Sequence, residues 1–204
     1  TMASARNLYQ PIPDLQLSEH FFKTKIDGLF FFKSPKKIDE RGFFSEVFKM
    51  PELEEVIGSQ FKIKQVNHTR SQKNVVRGMH AEDWNKLVIV TSGLAFSAIA
   101  DIRPNSETFK SVEYFELGCD QRQEHGSGLF ISQGLANSVC VLEEPLNYLY
   151  FVDKLYSERD TSGDQAISLF DEELAIEWPI PREQMILSDR DLQAVSLAQA
   201  TNNR

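Results

Sequence analysis

The chain has 204 residues, 41% of them hydrophobic and 25% charged, with a formal net charge of −8. That length supports one domain whose core needs no staples, and the composition excludes a disordered or collagen-like chain. No Lys/Arg block is long enough to draw a phosphate backbone or an anionic membrane, and the apolar run Leu29–Phe32 stops at Lys33, far short of the roughly 18 residues of a membrane helix, so neither nucleic acid nor membrane is expected as a partner.

Thr1 ahead of Met2 reads as a remnant preceding the natural start, and residues 1–28 as a partly extended N-terminal arm without a basic-then-apolar leader pattern. From residue 29 onward, short runs rich in Phe, Val, Ile and Tyr recur between turn signals, the spacing of an all-β sandwich or barrel. The predicted strands are Phe30–Lys33, Phe43–Phe48, Phe61–Asn67, Val75–His80, Lys86–Thr91, Leu94–Arg103, Ser111–Leu117, Gly128–Ile131, Ser138–Leu142 and Tyr148–Asp153. Pro51–Ile57 predicts one short helix, with Pro at a first helical position and Leu53, Val56 and Ile57 on one face. Ser92-Gly93 predicts a tight hairpin. Cys119 and Cys140, with no secretory signal, read as reduced thiols of a cytoplasmic protein. Ser188 is placed to cap a helix over Asp189–Ala200. The organisation expected is the arm, a single β domain over residues 29–185 and a helical tail over 186–204, without repeats. Phe21, Phe22 and Leu29–Phe32 in and beside the arm offer apolar strand surface that one small sandwich does not cover, and so predict a homodimer.

Four histidines occur, His20, His68, His80 and His125, with no His-x-His pair. A metal centre in a small barrel needs three or more converging ligands, so no metal is expected. A Gly-x-Ser-x-Gly elbow, a phosphate-binding Gly-rich loop and a dinucleotide fingerprint are all missing from the sequence, which disfavours hydrolase, kinase and dehydrogenase chemistry and predicts no cofactor. What remains is a density of polar groups inside strand-like segments, Gln65-Val66-Asn67 and Val76-Arg77-Gly78-Met79-His80. Buried polar groups cost free energy unless they are paired or used. Alternation puts Gln65 and Asn67 on one face, and His80 lies an even number of positions before Lys86. A basic side chain beside an imidazole in a barrel mouth makes an anionic site suited to an enolate or a phosphate. Taken singly, each residue also fits a structural role: His68 and His125 as loop or edge residues, Lys86 as a snorkelling side chain.

At these residues the sequence resembles the dTDP-4-dehydrorhamnose 3,5-epimerase family over about Leu29 to Leu192. The motifs run in family order: Asp39-Glu40-Arg41-Gly42-Phe43-Phe44-Ser45-Glu46, Gln65-Val66-Asn67-His68-Thr69, Val76-Arg77-Gly78-Met79-His80, Lys86-Leu87-Val88, Asp101-Ile102-Arg103, Leu149-Tyr150, Glu177-Trp178-Pro179-Ile180 and Leu187-Ser188-Asp189-Arg190-Asp191. The resemblance implies a cupin-type jelly roll acting on a dTDP-linked 4-keto-6-deoxy sugar. It implies that His80 abstracts the protons alpha to the ketone, at sugar carbons 3 and 5, with Asp191 orienting it. Lys86 would stabilise the enolate oxygen, and Tyr150 would return the proton from the opposite face of the ring. Arg41, Phe43, Glu46, Gln65, Asn67, Arg77 and Arg190 match positions that hold the nucleotide diphosphate and base, with Tyr156 as a nucleoside-stacking residue.

Three departures stand out. Asn137 in Ala136-Asn137-Ser138-Val139 replaces a histidine, and an amide can bind a sugar oxygen but cannot carry a proton at neutral pH. Ala81-Glu82-Asp83-Trp84-Asn85 replaces an aromatic and Gln after the base, and Ser97 replaces an acidic residue. A branch of the family has His-Ala-Glu-x-Trp together with Ala-Asn, so the resemblance implies a subgroup. Its activity is expected to be 3,5-epimerisation of dTDP-4-dehydro-6-deoxy-D-glucose to dTDP-4-dehydro-L-rhamnose. The alternatives are a 3-epimerase or ketoisomerase on a related nucleotide sugar, and a non-catalytic sugar-nucleotide-binding cupin.

Overall fold

In the computed structural model, which describes residues 7–118 and 125–202, strands β1 (Phe21–Lys23), β2 (Leu29–Asp39), β3 (Gly42–Ser45), β4 (Gln65–Ser71), β5 (Val76–Ala81), β6 (Lys86–Asp101), β7 (Val112–Gly118), β8 (His125–Ile131), β9 (Leu135–Val152) and β10 (Gln165–Ala166) join in antiparallel pairs. The order is β1-β2-β8-β6-β9-β5-β10, with β3 on β2, β4 on β9 and β7 on β6. Cys119 lies outside the described residues, and Cys140 is a buried free thiol. The all-β expectation holds.

Two of the predicted breaks are absent. Lys86–Thr91 and Leu94–Arg103 form one strand, β6, and Ser138–Leu142 and Tyr148–Asp153 both belong to β9. Ser92-Gly93 is therefore not a hairpin but a bend within β6, where its register against β9 shifts between Val90 and Ala95. Gly93 sits at φ +82, and a Cβ there would lie 2.6 Å from the Glu143 carbonyl and 2.8 Å from that of Pro145. Only glycine lets the two strands cross this closely. The shift also changes which parity faces inward. Val88 and Val90 point to the central core before the bend, and Ala95 and Ile99 do so after it.

That central core, with Leu29, Phe31, Phe115, Leu129, Leu135 and Val141, fills the interior of the sandwich. The outer face of β2, β6 and β8 carries Phe32, Leu87, Ile89 and Phe130 and is covered by Leu53 of α1 (Met50–Ile57) and by Phe61. Pro51 starts that helix and Gly58, at φ +67, ends it, within a residue of the predicted span. The other outer face, with Val76, Met79, Phe96 and Ala98, is covered by the C-terminal segment through Ile167, Leu169 and Leu197. Phe21, Phe22, Leu29, Phe31 and Phe32 are all buried within their own chain, because β1 pairs with β2. Of the apolar surface that predicted a dimer, Phe30 alone is not fully buried. Exposed apolar side chains occur at several other places, among them a group of four, Ile38, Phe43, Phe44 and Val47, around the β2–β3 hairpin.

The tail departs from one continuous helix. It forms α2 (Asp189–Leu192) and α3 (Leu197–Asn202), with Val195 between them bridging to Ile167. Ser196 and Gln199 restart the helix: the Gln199 amide donates to Ser196 Oγ, and Gln199 Oε1 accepts from the Ser196 amide. Among the described residues no helix is long and apolar enough to cross a membrane.

Candidate active site

Side chains on the inward face of four strands meet in a cavity of about 350 Å³ at one end of the sandwich. Gln65, Asn67 and Thr69 enter from β4, Arg77 and His80 from β5, Lys86 from β6, and Asn137, Tyr148 and Tyr150 from β9. Gln65 and Asn67 share a face as expected, with Gln65 Nε2 donating to Asn67 Oδ1 at 2.8 Å. Arg77 and His80 are an odd number of residues apart, so a regular strand would send them to opposite faces. The β5–β9 register shifts between them, and both line the cavity. Gly78 makes this possible: at φ +135, its backbone lies so close to β9 that a Cβ would be 2.6 Å from that of Ser138.

Asp191 reaches the site through the tail. The segment before it adds to β5, with the Val76 amide donating to the Ile186 carbonyl at 3.1 Å. Ser188 then caps α2, its Oγ accepting from the Asp191 amide at 3.2 Å, as the sequence predicts. The turn carries Asp191 Oδ1 to 2.6 Å from His80 Nε2. Burial opposes ionisation of this carboxyl, but hydrogen bonds from His80, Ser188 and the Gly78 amide hold it below the usual carboxylate range. An ionised carboxylate makes the facing ring nitrogen a donor, so in the neutral imidazole the opposite nitrogen carries the lone pair.

Lys86 is buried, paired with Glu82, and its Nζ stands 5.8 Å from the Tyr150 ring centroid. Burial raises the pKa of the Tyr150 phenol and the Glu82 charge adds to this, while Arg159 and Arg77 oppose it. Tyr148 is buried deeper, with its hydroxyl 3.4 Å from Asn137 Nδ2. Tyr156 stands exposed at the mouth, its ring 4.6 Å from the Arg159 guanidinium.

Three buried side-chain atoms lack a hydrogen-bond partner among the described residues, Asn67 Nδ2, Asn137 Oδ1 and Arg159 Nε, and all three belong to residues lining this cavity. Unmade hydrogen bonds concentrated in one place mark where a polar ligand repays their burial. Four Lys/Arg side chains face two carboxylates in the lining, within a protein of net charge −8. The local field favours an anion against the global one. A larger open groove between Lys23–Leu29 and Arg103–Thr108 offers nothing comparable, since its Arg103, Ser106 and Thr108 are already taken up by the buried Asp101 carboxylate. Among the described residues no three His, Cys, Asp or Glu side chains gather as a metal-ligand set.

The structure brings together His80, Asp191, Lys86, Tyr150, Gln65, Asn67, Arg77, Asn137, Tyr156 and Arg190. It does not bring Arg41, Phe43 or Glu46 to them within one protomer. Arg41 and Phe43 sit at a separate hollow at the β2–β3 hairpin, where Arg41 is exposed and paired with Asp39, and Glu46 pairs with Lys49. Glu82 and Trp84, which the sequence offers only as departures from the family pattern, also line the cavity, as does Arg159, which it does not single out. The first two were within its reach: positions 80, 82, 84 and 86 share one parity, and the even spacing noted for His80 and Lys86 extends to the residues between.

A family model described as dTDP-4-dehydrorhamnose 3,5-epimerase matches residues 23–199. The enzyme of that name from Shigella flexneri is 32% identical over 182 residues, 87% of this chain and 96% of the relative. A crystal structure of dTDP-6-deoxy-D-glucose-3,5-epimerase from Legionella pneumophila, in complex with dTDP-4-keto-L-rhamnose, superposes with a TM-score of 0.77 at 32% identity, covering 87% of this chain and 92% of that one. A 4-keto-6-deoxy sugar epimerase from Streptomyces spheroides superposes with a TM-score of 0.81 at 26% identity, covering 92% of each chain.

Proposed function

The chain belongs to the dTDP-4-dehydrorhamnose 3,5-epimerase family, and on that premise we propose that its cavity epimerises carbons 3 and 5 of dTDP-4-dehydro-6-deoxy-D-glucose to give dTDP-4-dehydro-L-rhamnose. The observation that carries this reading is the His80–Asp191 pair at 2.6 Å in the same electropositive cavity as Lys86 and Tyr150. His80 takes the proton alpha to the C4 ketone with the lone pair left by Asp191. The Lys86 ammonium faces the oxygen on which charge develops, where a fixed cation lowers the barrier. Tyr150, kept protonated by burial and by Glu82, delivers a proton to the opposite face; the proton taken by His80 then leaves to solvent, the phenol regains one from solvent, and repetition at the second carbon completes the inversion. Arg77 and Arg190 hold the diphosphate, Gln65, Asn67 and Asn137 bind polar groups of the ligand, and Tyr156 stacks on the nucleoside. Proton NMR of the product tests the reading: coupling constants changed at both carbons are expected, and inversion at carbon 3 alone, or none, contradicts it.

The same proposal includes a homodimer in which the β2–β3 hairpin of a second copy brings Arg41, Phe43 and Glu46 to the nucleotide. The exposed Ile38, Phe43, Phe44 and Val47 support it, since an apolar patch on a hairpin is the kind of surface that association covers. Sedimentation at micromolar concentration should find dimers, and Phe44→Glu should give monomers that bind dTDP more weakly. A monomeric parent contradicts the arrangement. A cytoplasmic location belongs to the same reading, which rests on cysteines read as reduced thiols.

No step above uses a metal, so activity should survive exhaustive chelation. Loss on chelation with recovery on zinc or manganese would replace this mechanism with a metal-assisted one.

A further inference from the structure

Lys86 does not stand alone in the cavity wall. Glu82 Oε2 meets its Nζ and accepts from Trp84 Nε1 at 3.2 Å, while Glu82 Oε1 faces Arg159 Nη1 at 3.5 Å. Arg159 closes on Asp164 with two contacts, Nη1 to Oδ1 at 2.9 Å and Nη2 to Oδ2 at 2.8 Å, and its guanidinium lies 4.4 Å from the Trp84 ring. The row Asp164–Arg159–Glu82–Lys86 alternates in sign and is balanced overall. Buried ion rows of this kind add little net stability compared with apolar packing. The mechanism above gives a direct part only to the last member, and takes from Glu82 no more than its charge beside Tyr150.

We propose that Glu82 is a positioning residue for the reaction: clamped by Trp84 and Arg159, its carboxylate fixes the Lys86 ammonium beside the Tyr150 ring and leaves the ammonium's other protons for a substrate oxygen. This rests on the functional reading above. A lysine has a flexible four-carbon stem and three donors, so one fixed acceptor removes most of its freedom without using up its capacity to donate. The same carboxylate acts on the acid. Tyr150 is faced by Lys86 from β6, Arg77 from β5, Glu82, Arg159 and the neighbouring Tyr148 ring. Of these, the Glu82 charge favours the protonated phenol, and the two arginines oppose it.

Glu82→Gln keeps the shape and removes the charge. It is expected to lower kcat by about tenfold or more with KM within about threefold, and to move the alkaline limb of the kcat/KM profile to lower pH, because the phenol then ionises more easily. Glu82→Asp retains the charge on a shorter stem and is expected to lower kcat while leaving that limb near its parental position. A purely structural role lowers Tm in both variants, moves neither the limb nor the kcat-to-KM split, and overturns the proposal. Should Glu82→Gln not fold, Trp84→Phe loosens the clamp while keeping every charge, and a parental kcat in that variant overturns the proposal. Ultraviolet titration without substrate, with Tyr150 assigned by Tyr150→Phe, separates this inference from the functional reading. If the parent fails to turn over the keto sugar, the reading falls on its own; a Tyr150 titration displaced downward in Glu82→Gln still upholds the hold of Glu82 on the phenol, and an unmoved one removes it.

Discussion

Replacing His80 by Ala is expected to reduce epimerisation by about 10²–10⁴-fold, the usual contribution of a general base, while the affinity for dTDP stays within a few-fold. The two readouts separate because, in the proposed reaction, the imidazole acts on the sugar while Arg77 and Arg190 hold the diphosphate. The fold should survive, since the His80 backbone is held on both sides, in register with Asn137 of β9 and Ala166 of β10. Asp191 loses its partner but keeps the Ser188 cap. Steady-state turnover at saturating substrate, with calorimetric titration of dTDP, checks both halves. Turnover within tenfold of the parent means that another group takes the proton.

The second large effect is expected at Tyr150. Tyr150→Phe removes the phenol proton and keeps the ring that packs beside Tyr148, 6.3 Å between centroids. Abstraction by His80 continues, and the enolate still forms against Lys86. Reprotonation then comes from His80 on the original face, or slowly from water. Deuterium should enter the substrate with retained configuration, while net epimerisation falls by at least about tenfold, roughly 1.4 kcal/mol of transition-state stabilisation. Asn137 sharpens the result, because an amide has no proton to lend near neutral pH where a histidine would. Parental rates of epimerisation would transfer the role to another acid. Tyr148 is the less suitable of its neighbours, since burial drives its pKa well above the usual phenol range and its hydroxyl is turned to Asn137. Tyr156 lies out at the mouth.

The parts of the site legible in the sequence are those governed by simple alternation. Gln65 and Asn67 share a face because β4 is regular, and Ser188 announces the cap that aims Asp191. What alternation alone misreads is the place where strands bend. The bend in β6 at Gly93 looks like a hairpin, because a glycine needed for close strand crossing and a glycine needed for a turn are the same letter. The shift at Gly78 puts Arg77 and His80 into one cavity against the parity rule. The tail fails differently: helical propensity runs through residues 189–200, but Val195 is taken into a bridge with Ile167, and a fresh cap at Ser196 restarts the helix. Arg41, Phe43 and Glu46 carry the family pattern, yet they lie on and beside the β2–β3 hairpin, apart from the cavity in their own chain. A pattern of letters does not say which side chains a single chain brings together.

In the proposed reaction this cavity removes and returns protons on both sides of a ketone. That reaction is tested most directly by incubating the protein with dTDP-4-dehydro-6-deoxy-D-glucose in deuterated water and reading the sugar by NMR and mass. Deuterium is expected at carbons 3 and 5, with both centres inverted, and with His80→Ala labelling at both carbons should slow by about 10²–10⁴-fold. Label at carbon 3 alone, at neither carbon, or at both carbons in the His80 variant at the parental rate would contradict it.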